Sequence, residues 1–262
     1  MYKALKIQIE LPHRFNKSKN NALMHFLQKQ KKYIILSPHL DDAVLSAGSL
    51  ISFLVQQEIE LKVVTVFTEG SQLLSIATKQ LLKNANFKDA VKYFQTRRSE
   101  DIDALKMLSV NSFEHLGFID SAWRTLKNGS AIYDDSQLAT IHDQEEMLYN
   151  KIVNCFKRIF DTEKNVCIVA PLARGRHIDH QIVRNVASGL AKKIMYYEDF
   201  PYSSLYGNEN EFIAGNNLSP FIWKGDYESK KKAILEYATQ QFSLFSMGIM
   251  KLPYERYYLK GF

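Results

Sequence analysis

The feature that most constrains this chain is a rhythm. From residue 32 to about residue 200, short apolar runs rich in β-branched residues alternate with longer stretches of helical periodicity. KKYIILSP precedes DAVLSAGSLISFLVQQ, LKVVTVFT precedes a helical pattern from Phe94 to Val110, and EHLGFI precedes one from Gln144 to Phe160. NVCIVAP then leads into a helix from about Asp179 to Lys192 and the short run KIMYYE. Parallel strands need long crossovers, and helices are the usual ones. The rhythm therefore predicts an α/β fold: a Rossmann-like, mainly parallel sheet with helices on both faces. Any ligand chemistry belongs at the carboxyl ends of the strands.

With 262 residues, 46% of them hydrophobic, the chain can bury one large core, and residues 1–262 read as one domain. The sheet core is expected over about 32–200, with decoration and a further helix over 201–262. Within that tail, Tyr202 to Ser219 is turn-rich and SKKKAILEYATQQFSLF has helical character. Residues 71–93 and 119–140 read as long loops shaping the site. Neither an N-terminal secretory core nor a window approaching about 18 apolar residues is present, so a cytoplasmic protein is expected. Cys155 and Cys167 have neither metal-ligand nor disulfide spacing and are expected as buried thiols. The net charge of +6 comes from scattered lysines, which predicts a weakly basic surface and no nucleic-acid partner.

Polar residues interrupt the rhythm at two equivalent places. In LSPHLDDAVLSAG, residues 36–48, Ser37-Pro38 breaks a strand, and His39 to Asp42 fill the turn into the next helix. One aspartate there would be explained as an N-cap. Two aspartates and a histidine exceed what capping requires. His39 and Asp42, at i and i+3, can converge on one ion while Asp41 points elsewhere, which suits two metal ligands beside a general base. A catalytic zinc site needs a third protein ligand. ARGRHIDHQIV, residues 173–183, offers one after the strand VCIVAP: His180 enters the helix as the candidate ligand. His177 is then left as an acid or oxyanion donor, with Asp179 expected to set its tautomer and raise its pKa. Two histidines and one carboxylate also suit Fe(II). His13, His25, His115 and His142 have no comparable setting.

His39-Leu40-Asp41-Asp42 together with His177-Ile178-Asp179-His180 resembles the paired motif of the PIG-L/LmbE-like zinc-dependent N-acetylglucosaminyl deacetylases. The family pattern is commonly His-Pro-Asp-Asp-Glu, and this chain departs from it at Leu40 and Ala43, neither of which is a ligand position. The form Ser-Pro-His-Leu-Asp-Asp-Ala resembles a branch acting on sugars in polysaccharide, glycolipid or antibiotic pathways. The resemblance continues through Arg97-x-x-Glu100-x-x-x-Ala104-x-x-x-Leu108, Leu116-Gly117-Phe118-Ile119-Asp120 and Tyr197-Glu198-Asp199-Phe200-Pro201-Tyr202, spanning about residues 32–242. It implies zinc ligands His39, Asp42 and His180, the base Asp41, and His177 as oxyanion support or proton donor to the leaving amine. It also implies the bond broken: an N-acetyl amide on an amino sugar, free or in a glycoconjugate.

Other polar positions carry weaker signals. Arg174 and Arg176 flank the second turn and are expected to contact substrate. Asp120, Glu198 and Asp199 lie at strand ends and read as pocket residues. Arg97 and Glu100 read as a surface pair at helical spacing. Trp123, Tyr197, Phe200 and Tyr202 suit either the core or a sugar face. A metal-dependent phosphoesterase would use similar ligands, though two metals need more of them than these turns supply. A non-catalytic sugar- or nucleotide-binding module is the other alternative. No Gly-x-Gly-x-x-Gly, Walker loop or Gly-x-Ser-x-Gly elbow follows any strand.

Overall fold

The computed structural model describes residues 6–10, 17–133, 136, 139–162, 165–205, 209–240 and 249–261. The first half comprises β1 (Lys6–Glu10), α1 (Lys17–Lys29), β2 (Lys32–His39), α2 (Asp42–Gln56), β3 (Glu60–Glu69), α3 (Ile76–Asn84), α4 (Ala90–Met107) and β4 (Phe113–Ile119). The second half comprises α5 (Glu146–Asp161), β5 (Val166–Pro171), α6 (Ile178–Leu190), β6 (Ile194–Tyr197), α7 (Tyr202–Leu205), α8 (Asn210–Gly215), β7 (Leu218–Trp223), α9 (Tyr227–Leu235), β8 (Ile249–Pro253) and β9 (Glu255–Lys260).

Seven strands form the main sheet in the order β4-β3-β2-β5-β6-β9-β7. The five from β4 to β6 pair in parallel, and β9 runs antiparallel to β6 and β7. β1 and β8 make a separate parallel pair. Side chains along β2 alternate between two cores: Tyr33 and Ile35 pack with α2, α4 and α9, whereas Ile34 and Leu36 pack with α5 and α6. Burial on both faces is why the central strands read as continuous apolar runs. The chain winds outward from β2 through β3 to β4, then returns to β5 on the other side. The strand order thus reverses between β2 and β5, where open α/β sheets bind their ligands.

The tail departs from expectation. It supplies β7 and β9 to the main sheet, which extends the core past residue 200. These strands join the antiparallel edge, and their short, polar-interrupted runs carry little sequence signal. α9 stops at Leu235, a 3-10 turn follows at Ala238–Gln240, and the rest of the expected helix lies outside the described residues. Residues 71–93 are not all loop: Ser75 caps α3 by accepting the Thr78 amide at 3.2 Å. α4 starts at Ala90, ahead of the expected Phe94, because Asp89 accepts the Lys92 amide at 2.8 Å. Cys167 is buried, while Cys155 is only half-buried on α5.

α2 carries the first polar turn at its start, and it is held from behind. Its sequence is apolar on nearly every side, which matches a helix enclosed between the sheet and α9. Glu255 accepts the Ser49 and Leu50 amides of α2 at 2.8 and 3.0 Å and pairs with buried Lys230 of α9 at 2.8 Å. Removing one member would leave a buried charge uncompensated, which costs about 3–5 kcal/mol. The C-terminal strands therefore help seat the helix on which the site is built.

Candidate active site

The first turn is organised by its own atoms. The Ser37 hydroxyl donates to the His39 carbonyl at 2.7 Å and accepts the Ala43 amide at 2.9 Å. The Asp42 carboxylate accepts the His39 amide at 2.8 Å. Asp41 stands at φ 148°, a region costly for any residue with a side chain. It occupies the N-cap position of α2 without a side-chain cap bond, so capping does not explain it. Arg97 holds it instead, its guanidinium lying 3.4 Å from Asp41 Oδ2 and 3.2 Å from the Leu40 carbonyl.

The strand ends bring the second turn to the same place. Asp42 Oδ2 lies 3.0 Å from His39 Nδ1 and 3.2 Å from His180 Nε2. His39 Nε2 is 2.9 Å from Asp179 Oδ2, and His180 Nδ1 is 2.6 Å from Asp199 Oδ1. Each imidazole thus turns one nitrogen towards Asp42 and the other towards an outer carboxylate, the arrangement that orients metal-bound histidines. His39, His177 and His180 present ligand atoms within 4.8 Å of one another, as do His39, Asp120 and Asp179. In the latter set Asp179 is committed elsewhere, accepting the Ser121 amide at 2.9 Å and pairing with Arg124 at 2.7 Å.

The residues fit a divalent metal. His180 Nε2 is fully buried and makes no hydrogen bond, an atom whose natural partner is a cation. Charge points the same way. Burial works against protons on His39 and His180, yet the surrounding aspartates overcome it, raising His39 well above its ordinary value and His180 to about 9. Burial likewise disfavours ionised Asp42, and the two imidazoliums hold it well below the carboxylate range. A dication replacing those two protons would leave the net charge of the cluster unchanged.

Several sequence expectations are corrected. The Asp179 carboxylate does not reach His177; it is Asp179's backbone amide that donates to His177 Nδ1 at 3.3 Å, which places the ring proton on Nε2. His177 is not raised in pKa: burial, then His39 and His180, push it well below the ordinary value. Asp199 is fully buried beneath His180 and also accepts the Arg174 amide at 2.8 Å, so it backs the imidazole and has no exposed surface to offer a substrate. Glu198 is taken up by Arg174, by Arg256 at 3.2 Å and by the Tyr258 hydroxyl at 3.2 Å. Arg97 and Glu100 are buried and do not pair with each other; Glu100 accepts the Thr239 amide and hydroxyl at 2.8 and 2.5 Å.

The remaining candidates divide. Asp120 faces the centre, with Oδ2 3.9 Å from both His39 Nε2 and Arg97. Arg176 is exposed beside the second turn. Trp123 and Tyr197 are core, whereas the half-buried Tyr202 ring lies 5.2 Å from His180 and 5.9 Å from His177. Sequence reasoning missed Arg124, which bridges Asp179 and Glu145 at 2.7 and 2.8 Å. A lone arginine in a loop carries no signal for that role.

Burial, from desolvation, also sets Asp41 apart. It pushes the carboxyl up to about 7, against the pull of Arg97. The cluster thus offers a metal-type ligand set, a carboxylate poised near neutrality outside it, and a neutral imidazole donor, which together suit hydrolysis.

Comparison with known proteins agrees. The PIG-L family model, described as GlcNAc-PI de-N-acetylase, matches residues 34–191, a span containing both turns. A 2'-N-acetylparomamine deacetylase of Niallia circulans is 26% identical over 234 residues, covering 83% of this chain and 84% of that protein. A deacetylase from the teicoplanin biosynthesis pathway shares the fold, with a TM-score of 0.73, 24% identity, and coverage of 87% of this chain and 96% of that one. So does the zinc-inhibited form of a teicoplanin deacetylase, at TM-score 0.71, 24% identity and coverage of 87% and 97%. With its matching span covering more than half of the chain and both polar turns inside it, this protein belongs to the PIG-L family of de-N-acetylases.

Proposed function

We propose that this chain is a zinc-dependent N-deacetylase that hydrolyses the acetamide of an amino sugar within a larger glycoside, releasing acetate and a free amine. The observation that carries the reading is the convergence of His39 Nδ1 and His180 Nε2 on Asp42 Oδ2 at 3.0 and 3.2 Å, with His180 Nε2 otherwise unpartnered. These three residues would hold the metal. When bound, the ion supplies Lewis acidity, polarising the acetyl carbonyl and lowering the pKa of water towards about 7.

The chain's own residues divide the remaining work. Asp41 accepts the proton of the attacking water; its Oδ2 is turned to Arg97, which leaves Oδ1 as the accepting atom. His177 donates its Nε2 proton as a hydrogen bond to the oxyanion, acting as a neutral donor. Asp41 then returns its proton to the departing nitrogen, so one carboxyl serves as base and then acid. Asp179 and Asp199 keep the two ligand imidazoles in the tautomers that face inward. Arg176, exposed beside the second turn, and Asp120, near His39, are the proposed contacts to sugar hydroxyls. Carbonyl polarisation and water activation both act on an amide, which is the bond the family membership indicates.

Acetate release from N-acetylglucosaminides tests this, with the protein stripped by chelator and reloaded with zinc or Fe(II), beside Asp41→Asn. Metal-dependent release that Asp41→Asn abolishes while retaining metal is the expected result. Equal release from the stripped protein, or from Asp41→Asn, would refute the mechanism.

A further inference from the structure

Helix α3 turns Thr78 and Leu82 inward but leaves one large apolar side chain outside. Thr78 is buried, its hydroxyl bonded to the Ser75 carbonyl at 3.1 Å, while Ile76 is 88% exposed and Leu73, just before the helix, is 49% exposed. Leu82 on the inner face is accounted for by the core, whereas an exposed isoleucine gains nothing from folding. Ile76 and Thr78 border a groove of about 740 Å3 whose walls include Ile76, Ala77 and Leu81 from α3 and Ala122, Ala131 and Tyr133 from the segment after β4. That is a ligand-sized volume. None of the described residues lining it carries a charge.

The second wall is ordered and tied to the active site. Residues 124–133 form a hairpin in which Leu126 donates to Ser130 at 2.8 Å, Ile132 donates to Arg124 at 3.0 Å, and Thr125 bridges Ala131. Its base is Arg124, which pairs with Asp179, and Tyr133 bonds the same Glu145 that Arg124 holds. The inner end of the groove is equally close. The Ala122 amide donates to Asp120 Oδ1 at 2.9 Å, and Asp120 Oδ2 lies 3.9 Å from His39 Nε2, putting the groove within about 10 Å of the ligand cluster. Ser136, also lining it, accepts the amide of Ile178 beside His177.

Resting on the deacetylase reading, we infer that this groove binds the part of the substrate attached to the amino sugar, and that this part is an uncharged aglycone with an aryl or alkyl surface. The polar atoms of the lining are hydroxyls and amides, able to meet neutral oxygens at the rim. No described guanidinium or ammonium lines it to take a phosphate, which argues against a sugar nucleotide or phospholipid headgroup. A polycationic aminoglycoside would need carboxylates in the wall. The two nearest in sequence, Asp134 and Asp135, lie outside the described residues, and the experiment includes them.

The test compares zinc-loaded protein on free N-acetylglucosamine, its octyl and phenyl β-glycosides, and an N-acetylated polycationic aminoglycoside. Calorimetric binding of the octyl glycoside to Asp41→Asn is measured in parallel. The expected result is a kcat/KM at least about tenfold higher for the octyl and phenyl glycosides, carried mainly by KM. In Ile76→Asp and Ala131→Asp that advantage over the free sugar falls towards unity, whereas Met107→Asp, an exposed apolar position at the far end of α4, preserves it. Equal kcat/KM for free and glycosylated sugars, no octyl glycoside binding, or an unchanged advantage in Ile76→Asp overturns the inference. So does a preference for the aminoglycoside that Asp134→Asn/Asp135→Asn removes. Octyl glycoside binding that Ile76→Asp weakens, without acetate from any substrate, would sustain the groove and overturn the deacetylase reading instead.

Discussion

The two polar turns lie side by side at the ends of β2 and β5, and each opens a helix, yet they are built differently. In the first, Ser37, His39, Asp42 and Ala43 satisfy one another within seven residues, and the backbone tension falls on a single residue, Asp41 at φ 148°. In the second, Ala173, Gly175 and Arg176 all take left-handed conformations, at φ 62°, 80° and 52°, and the side chains find their partners far along the chain. His180 relies on Asp199, Asp179 on Ser121 and Arg124, and only the His177 ring is set locally. The backbone of the first turn is self-assembled, with His39 and Asp41 reaching to distant partners, and the second is assembled by the fold around it. A substitution in the first should act on chemistry directly, whereas one near the second can act through an orienting partner.

The largest expected effect breaks the place where the turns meet. His180→Ala should lose bound metal on dialysis and lower kcat/KM by at least about 10³-fold, because the second turn then contributes no ligand. Retention of stoichiometric zinc would remove His180 from the ligand set. Asp41→Asn should keep its metal and lower kcat by about 10³-fold, which separates the base from the ligands within one turn. Next comes His177→Gln, with a fall of about 10²-fold in kcat at little change in KM, the pattern of a group that acts on the oxyanion.

Two smaller effects sharpen the contrast between local and distant support. Asp199→Asn leaves every ligand in place and should weaken metal affinity by about 10–100-fold, measured by competition with a chelator. Arg97→Met probes the distant support given to Asp41 in the first turn. Burial raises the Asp41 carboxyl and Arg97 pulls it back down, so removing the arginine lets it rise further. The acid limb of kcat/KM, below which the base is protonated, should therefore move to higher pH, by about one unit. A limb that stays in place would show that Asp41 does not titrate in that range.

Much of this was open to sequence reasoning because it is local or periodic. The β-strand and helix rhythm from Lys32 to Leu190 follows from side-chain periods of 2 and about 3.6 residues, and the central strands are buried on both faces, so their signal is strong. The turn at His39–Asp42 shows itself because polar groups stand where the pattern demands apolar ones. β7 and β9 were not legible, since edge strands take their identity from the partners they meet.

The amino-acid sequence by itself determined the class of fold, the strand ends at which chemistry would sit, and the two sets of ionisable groups placed there. Only the tertiary structure decided what each group touches. It moved Asp199 from the substrate to the back of His180, turned Asp179 from His177 to His39, and brought Arg97 from an imagined surface face onto Asp41. The physical reason is that a helix or strand is specified by neighbours a few residues apart, whereas an imidazole's second nitrogen or a buried carboxylate is satisfied by whichever partner the folded chain delivers, here from 19 to 140 residues away.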